Sequence, residues 1–107
     1  MSNLINAPDQ VVEVHNAMFD NARKRFGDDT DVMRPVYTRP ETRYNCETYE
    51  YESTGNWIVG SNFEGWGPSM IFKQGTWFYR STRTGEDTPM RNGHSEALGN
   101  AGCFFTG

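Results

Sequence analysis

Four side chains in this sequence belong to the types that most often carry out chemistry in proteins. They are His15, Cys46, His94 and Cys103. A zinc site needs about four such ligands, usually including one closely spaced pair, and no two of these residues are near each other along the chain. The glycines match neither a phosphate-binding loop nor a dinucleotide-binding fingerprint. We therefore predict no metal site and no cofactor.

Nucleophilic catalysis is also weakly supported. The run His94-Ser95-Glu96 contains three residue types of a catalytic triad. Adjacent residues point in different directions, however, and triads are assembled across a fold. Nothing around either cysteine indicates an activated nucleophile, and Cys46, on a predicted strand, is expected to be a small core residue. No catalytic residue is predicted, and an enzyme is the less favoured class.

Length and charge narrow the class of protein. The 107 residues are enough for one domain, 1–107, with a formal net charge of -4. Residues 1–56 carry six basic and ten acidic side chains, whereas 57–107 carry four of each. This charge distribution has no basic patch of the kind that nucleic-acid-binding proteins carry. No apolar run approaches the ~20 residues of a membrane span, so we expect a soluble, cytoplasmic protein whose thiols are reduced. Whether Cys46 and Cys103 meet is left open.

The first predicted element is an amphipathic helix over residues 8–26. Pro8 suits a first helical turn, and Gly27 is a typical residue just past a helix end. Apolar residues and one histidine recur at helical spacing. They are Val11, Val12, His15, Met18, Phe19, Ala22 and Phe26. This stripe needs a surface to cover it.

Residues 28–43 are predicted to be a connector. Pro35 and Pro40 favour extended backbone before them, so the connector should be a surface arm or an edge strand. Residues 44–82 then alternate apolar and polar side chains between turn residues, which predicts an antiparallel meander of four strands. A short C-terminal strand would make the sheet four- to five-stranded. We place the first hairpin loop at 53–55 and the second at Gly75-Thr76.

These loops divide the strand side chains between two faces. The face predicted to lie under the helix carries Tyr49, Tyr51, Trp57, Val59, Met70, Phe72, Trp77 and Tyr79. The back face carries Glu50, Glu52, Ile58, Ile71, Lys73, Phe78 and Arg80. After the sheet, residues 83–102 are predicted to be a polar loop with one helical turn at 95–98. Residues 103–106 are predicted to form a short strand or plug, which would either cover the back face or leave it as an apolar patch.

The predicted fold is therefore α+β, with one helix packed on a meander sheet. We favour a non-enzymatic protein that binds a protein partner, such as an accessory or inhibitor-type factor of the kind that viruses and mobile elements often encode. The predicted contacts are the back face and one loop tryptophan flanked by glycines. They are Ile58, Trp66, Ile71, Lys73, Phe78 and Arg80.

Two other functions stay open. A pocket between helix and sheet would bind a small molecule, or support a minimal lyase or isomerase reaction with His15 as base. Its lining would be His15, Tyr49, Trp57, Trp77 and Tyr79. The simpler interpretation, which we prefer, is that His15 is a half-buried histidine with a structural hydrogen-bond partner. The last possibility is a structural or coat-type subunit that forms homo-oligomers.

Overall fold

A computed structural model of the chain describes residues 6–27, 36–61, 69–81 and 83–103. Two helices and five strands lie in these ranges. They are α1 (Asp9–Phe26), β1 (Val36–Asn45), β2 (Glu50–Ser61), β3 (Ser69–Lys73), β4 (Thr76–Arg80), β5 (Asp87–Pro89) and α2 (His94–Cys103). The strands form one antiparallel sheet in which each lies beside the next in sequence. The predicted α+β class, with a helix and a meander sheet, is confirmed.

Helix α1 begins and ends where its sequence signals predict. The carbonyl of Pro8 accepts hydrogen bonds from the amides of Val11 and Val12, and Gly27 ends the helix in a left-handed conformation with φ of 69°. The buried stripe is rotated by about one residue from the prediction. Val14 is fully buried, whereas His15 beside it is only half-buried. The histidine therefore borders the core instead of lying at its centre.

The second hairpin has the predicted faces but a different register. Gln74 and Gly75 form the turn, both with positive φ, as a two-residue turn of the I′ type requires. Phe72 therefore pairs with Trp77 instead of Tyr79. Moving a two-residue loop by one position shifts the pairing by two residues, so every side chain keeps its face. The core face carries Met70, Phe72, Trp77 and Tyr79, as predicted.

The first hairpin was predicted wrongly. Its turn lies at residues 46–49, and the predicted loop at 53–55 lies inside β2. Gly55, with φ of 88°, lies at a β-bulge where the β1–β2 register shifts. The turn is shaped instead by Asn45, whose side-chain oxygen accepts hydrogen bonds from the amides of Glu47 and Thr48. As a result Tyr51 pairs with Tyr44, whereas a loop at 53–55 would have paired it with Trp57.

The parts of the chain predicted as connector and polar loop are more regular than expected. Residues 36–43 form most of the edge strand β1, in agreement with the edge-strand alternative, and Pro40 is tolerated there because an edge strand leaves one side unpaired. Residues 83–102 contain β5 and most of α2 instead of a loop. Cys103, placed in a terminal strand or plug by the sequence, is the last residue of α2, and 104–106 lie outside the described residues.

One hydrophobic core joins the sheet to both helices. Ala97 and Ala101 of α2 are fully buried and pack against the same cluster as α1, which is possible because short side chains let two helices approach closely. The cluster consists of Val11, Val14, Met18, Ala22, Val36, Trp57, Val59, Met70, Phe72, Trp77, Met90, Ala97 and Ala101. Two of its aromatic rings, those of Phe72 and Trp77, lie 5.0 Å apart between centroids.

Candidate functional site

The back face of the sheet, predicted as the partner-binding surface, is largely covered in the folded chain. Ile71 is fully buried and Ile58 is 8% exposed. Phe78 is half-buried, and the ammonium group of Lys73 lies 4.6 Å from the centre of its ring. Trp66 lies outside the described residues. The three apolar side chains of this face are therefore not an open patch.

An ion network also lies on this side of the sheet. The guanidinium of Arg80 on β4 donates to Asp87 through Nε (2.8 Å) and Nη2 (3.1 Å). Its Nη1 donates to Glu41 of β1 at 2.5 Å. Because β2 and β3 lie between β1 and β4, this pair crosses over both central strands. Lys73 completes the network with a bond to Asp87 at 2.8 Å.

The charged side chains of the network hold one another in a fixed arrangement, because each offers several hydrogen-bond donors or acceptors. Bidentate arginine–carboxylate pairs, such as Arg80 with Asp87, are among the strongest hydrogen-bonded pairs in proteins. The hydrogen bonds from Arg80 are the main reason that the pKa of Asp87 falls to about 2. The predicted contact residues Lys73 and Arg80 are therefore engaged within the molecule.

The five residues predicted to line a pocket are divided between the core and the surface: Trp57, Trp77 and Tyr79 lie in or against the core cluster, whereas Tyr49 lies on the surface. Trp57 and Trp77 lie in the core, and the indole nitrogen of Trp77 donates to Gln10 at 3.2 Å. Tyr79 donates to Glu96, and burial together with this bond raises the pKa of Tyr79 to about 12. Tyr49 is 79% exposed in the β1–β2 turn. The pocket was predicted on the assumption that the aromatic side chains would all be drawn to the core.

His15 bridges the first helix and the edge strand. Its Nδ1 lies 2.7 Å from the hydroxyl of Thr38 on β1, a residue only 7% exposed. Its ring also stacks on Phe19, with 6.1 Å between the ring centres. Burial lowers the pKa of His15 from its ordinary value of 6.5. The neutral imidazole thus has a structural partner.

We expect His15 to make stability depend on pH. Because its pKa is lower in the folded chain, the unfolded chain binds a proton first as the pH falls below 6.5. The contribution of His15 is therefore complete above that pH and is lost as the pH falls through the lower, folded pKa. His15→Gln keeps a group that can bond to Thr38 but does not titrate. The free energy of unfolding, measured in urea, should fall more steeply between pH 7 and 5 in the wild type than in the variant. Equal slopes would contradict this prediction. His94→Gln serves as the control for the other histidine.

The remaining candidates for chemistry are also separated. His94 bonds through Nε2 to Glu13 and so joins the start of α2 to α1. Cys46 is exposed in the β1–β2 turn, not buried on a strand as predicted, and does not form a disulfide with Cys103. In the described ranges, no three His, Cys, Asp or Glu side chains are grouped so that they could hold a metal ion. Nor does a helix in those ranges have the length and apolar character to cross a membrane.

The most unusual surface of the molecule is the end of the β1–β2 hairpin, residues 42–53, which we name the tyrosine hairpin. Among the described residues, the exposed large hydrophobic side chains are Tyr44 (45%), Tyr49 (79%) and Tyr51 (73%), and all three lie here. The β2 residues that pair with β3 are Trp57–Val59, so within the described chain the hairpin is a two-stranded ribbon. Pro40 of β1 pairs with Trp57, and β1 continues for five residues to Asn45. The ribbon therefore extends roughly 16 Å beyond that point, before the turn, at the usual rise per residue.

The tyrosine hairpin carries its own internal supports. The rings of Tyr44 and Tyr51 face each other across the strands, 5.2 Å apart and edge to face. The side-chain amide of Asn45 donates a hydrogen bond to the carboxylate of Glu52 at 3.0 Å. A two-stranded ribbon without a hydrophobic face is marginally stable at best, so these contacts matter for keeping its shape in water.

The base of the tyrosine hairpin is tied to the ion network. Glu41, at the β-bulge, accepts hydrogen bonds from Asn56 at 3.0 Å and from the Thr54 hydroxyl at 3.1 Å, as well as from Arg80. These bonds and the charge of Arg80 lower the pKa of Glu41, although its burial acts in the opposite direction. One carboxylate therefore links the bulge, where the ribbon begins, to the far side of the sheet.

Sequence reasoning missed this surface because it assigned Tyr49 and Tyr51 to the core face. One signal was present: Glu47, Glu50 and Glu52 lie within six residues among the tyrosines, and a segment this rich in carboxylates is costly to bury. Protein-family models, curated proteins and solved structures were all compared with the chain, and none of them matches it.

Proposed function

We propose that this chain is a non-enzymatic interaction protein that binds a protein partner through the tyrosine hairpin. The observation that carries the proposal is the concentration of exposed tyrosine on one projecting ribbon. Tyrosine is enriched at protein–protein contacts because it offers a large rigid ring with a polar end. Single exposed apolar residues are ordinary on a protein surface, whereas three on twelve residues are typical of an interaction site.

The rest of the molecule supports this role as a scaffold. The ion network and the core fix the sheet, and the bulge at Glu41 joins the ribbon to that fixed part. Binding elements are often projecting loops held by a rigid domain. A ribbon that is already paired loses little further backbone entropy on binding, which favours affinity.

The test compares two triple variants of the full chain. Tyr44→Ser, Tyr49→Ser and Tyr51→Ser together remove the rings of the tyrosine hairpin. Asn16→Ala, Asp20→Ala and Lys24→Ala together change the same number of exposed side chains on α1. Wild-type protein is used to capture partners from an extract of its own source cells. Each captured protein is then purified, and its affinity for all three chains is measured by calorimetry.

We expect a purified partner to bind the wild type and the α1 variant equally, and the tyrosine variant at least about tenfold more weakly. The melting temperatures of the three chains should be similar, because none of the altered side chains belongs to the core cluster and the lost Tyr44–Tyr51 contact is confined to the ribbon. Equal affinity of the tyrosine variant would remove the hairpin as the contact. If no captured protein binds the wild type directly, the proposed function itself is wrong.

A further inference from the structure

The tyrosine hairpin has two faces of different chemistry. Tyr44 and Tyr51 share one face, because directly paired residues of an antiparallel ribbon lie on the same side. The pairs Arg43–Glu52 and Asn45–Glu50 lie on the other. Apart from Asn45, every residue from 42 to 55 is exposed. A partner that receives this ribbon therefore meets both rings and charges.

The charge of the tyrosine hairpin is negative. Residues 42–53 contain one basic side chain, Arg43, and three acidic ones, Glu47, Glu50 and Glu52, which gives a formal net charge of 1 - 3 = -2. No ion pair joins Glu47 or Glu50 to a described residue. An apolar partner surface would take these carboxylates out of water without compensation, at high cost. The ribbon therefore fits a partner that brings positive charge.

The rings of the tyrosine hairpin also lack a cation that other rings in this molecule have. Arg25 lies 5.5 Å from the ring centre of Phe26, Arg39 lies 5.8 Å from that of Tyr37, and Lys73 covers Phe78. In the described part of the chain, no arginine or lysine lies over Tyr44, Tyr49 or Tyr51 in this way. A flat guanidinium group stacks on a tyrosine ring and also pairs with carboxylates.

A second copy of this chain is a poorer occupant. Two tyrosine hairpins packed face to face would bring their net charges of -2 together, on chains whose whole formal charge is -4. Like charges brought together at an interface oppose association. Charge complementarity therefore favours a partner of opposite sign over a symmetric dimer.

From these observations we infer that the tyrosine hairpin binds a basic, arginine-bearing segment of its protein partner. The guanidinium groups stack on Tyr44 and Tyr51, and further basic side chains pair with Glu47 and Glu50. This inference rests on the proposed function and specifies the chemistry of the partner.

The test uses a labelled Arg-Ser repeat peptide of about the length of the hairpin, with Lys-Ser and Glu-Ser peptides as comparisons. Binding to the full chain is followed by fluorescence anisotropy at low and at physiological salt. Tyr44→Leu with Tyr51→Leu keeps apolar bulk but removes the aromatic faces. Glu47→Gln with Glu50→Gln removes two charges from the hairpin. Asp20→Asn with Glu86→Gln removes two charges from exposed positions elsewhere and is the matched control.

We expect the arginine peptide to bind several-fold more tightly than the lysine peptide, and the glutamate peptide not to bind. The leucine variant and the Glu47/Glu50 variant should each weaken arginine-peptide binding by about three- to tenfold. The matched control should change it by less than about twofold, since its charges lie outside the hairpin.

Equal loss in the matched control would show attraction to net charge alone and would overturn the inference. So would equal binding of the arginine and lysine peptides, or wild-type self-association that the leucine variant abolishes, because the occupant would then be a second copy. If a captured partner needs the tyrosines but the arginine peptide does not bind, this inference fails while the proposed function stands. If the arginine peptide binds as expected but no protein partner is captured, the proposed function fails, while the preference of the hairpin for arginine stands.

Discussion

Replacing Trp77 with alanine should cost about 3 to 5 kcal/mol of folding free energy, the range expected when a buried tryptophan is cut back to a methyl group. Trp77 is fully buried, packs on Phe72 and donates its indole hydrogen to Gln10 of α1. The substitution leaves a cavity between the sheet and the helix and an amide on α1 without its partner. Small domains have only about 5 to 15 kcal/mol in total, so this loss is a large fraction of the folding free energy.

Urea unfolding followed by circular dichroism measures this loss. If Trp77→Ala does not fold, Trp77→Phe retains a ring and should cost about half as much, mostly through the lost bond to Gln10 and the smaller volume. Tyr49→Ala is the control, because it removes another aromatic ring that is 79% exposed. Its effect should stay within about 0.5 kcal/mol. A Tyr49 effect as large as that of Trp77→Phe would contradict the assignment of the two residues to surface and core.

Replacing Arg80 with methionine should cost about 2 kcal/mol, the second largest effect we expect. The change keeps most of the apolar stem but leaves Asp87 and Glu41, whose side chains are only 13% and 19% exposed, without their main counter-charge. Breaking a fully buried pair in this way costs more and breaking an exposed pair costs less. Arg43→Met is the control, because Arg43 lies on the exposed ribbon.

Two further measurements separate charge from bulk in the Arg80 network. If stranded carboxylates cause the loss, adding Asp87→Asn and Glu41→Gln to Arg80→Met should recover part of it. The second measurement is the free energy of unfolding as a function of acid pH. Because folding lowers the pKa of Asp87 from 3.8 to about 2, the stability that its ionised carboxylate contributes is complete above pH 3.8. It is lost as the pH falls toward 2, and Arg80→Met should weaken this loss. An Arg80→Met chain as stable and as acid-sensitive as the wild type would show that the network contributes nothing.

The parts of this fold that follow from local signals were predictable. The helix predicted over 8–26 is observed as Asp9–Phe26, because the proline, the charged ends and Gly27 act on the nearest turns. The assignment of Met70, Phe72, Trp77 and Tyr79 to the core face is also correct, although the turn residues were misplaced. Alternation along a strand depends only on its period of two, and it tolerates an even shift in pairing.

The parts that depend on distant residues were not predictable. Glu41 and Arg80 are 39 positions apart, and nothing local shows that they will meet across two strands. Helix α2 contains Gly99 and Gly102, which weaken a local helical signal. The helix forms because Ala97 and Ala101 pack against the core. The prediction of the first hairpin failed for a third reason. Gly55 has the backbone conformation of a turn residue, but it lies in a β-bulge inside a strand.

The separation of the tyrosine hairpin from the core has a consequence for how the protein can change over time. None of its side chains belongs to the core cluster. Substitutions in the hairpin therefore need no compensating change elsewhere to keep the chain folded. The proposed binding surface can therefore be altered, by natural mutation or in a combinatorial library, while the sheet and helices stay constant. Under the proposed function, a small protein of this design can follow a changing partner at little risk to its own folding.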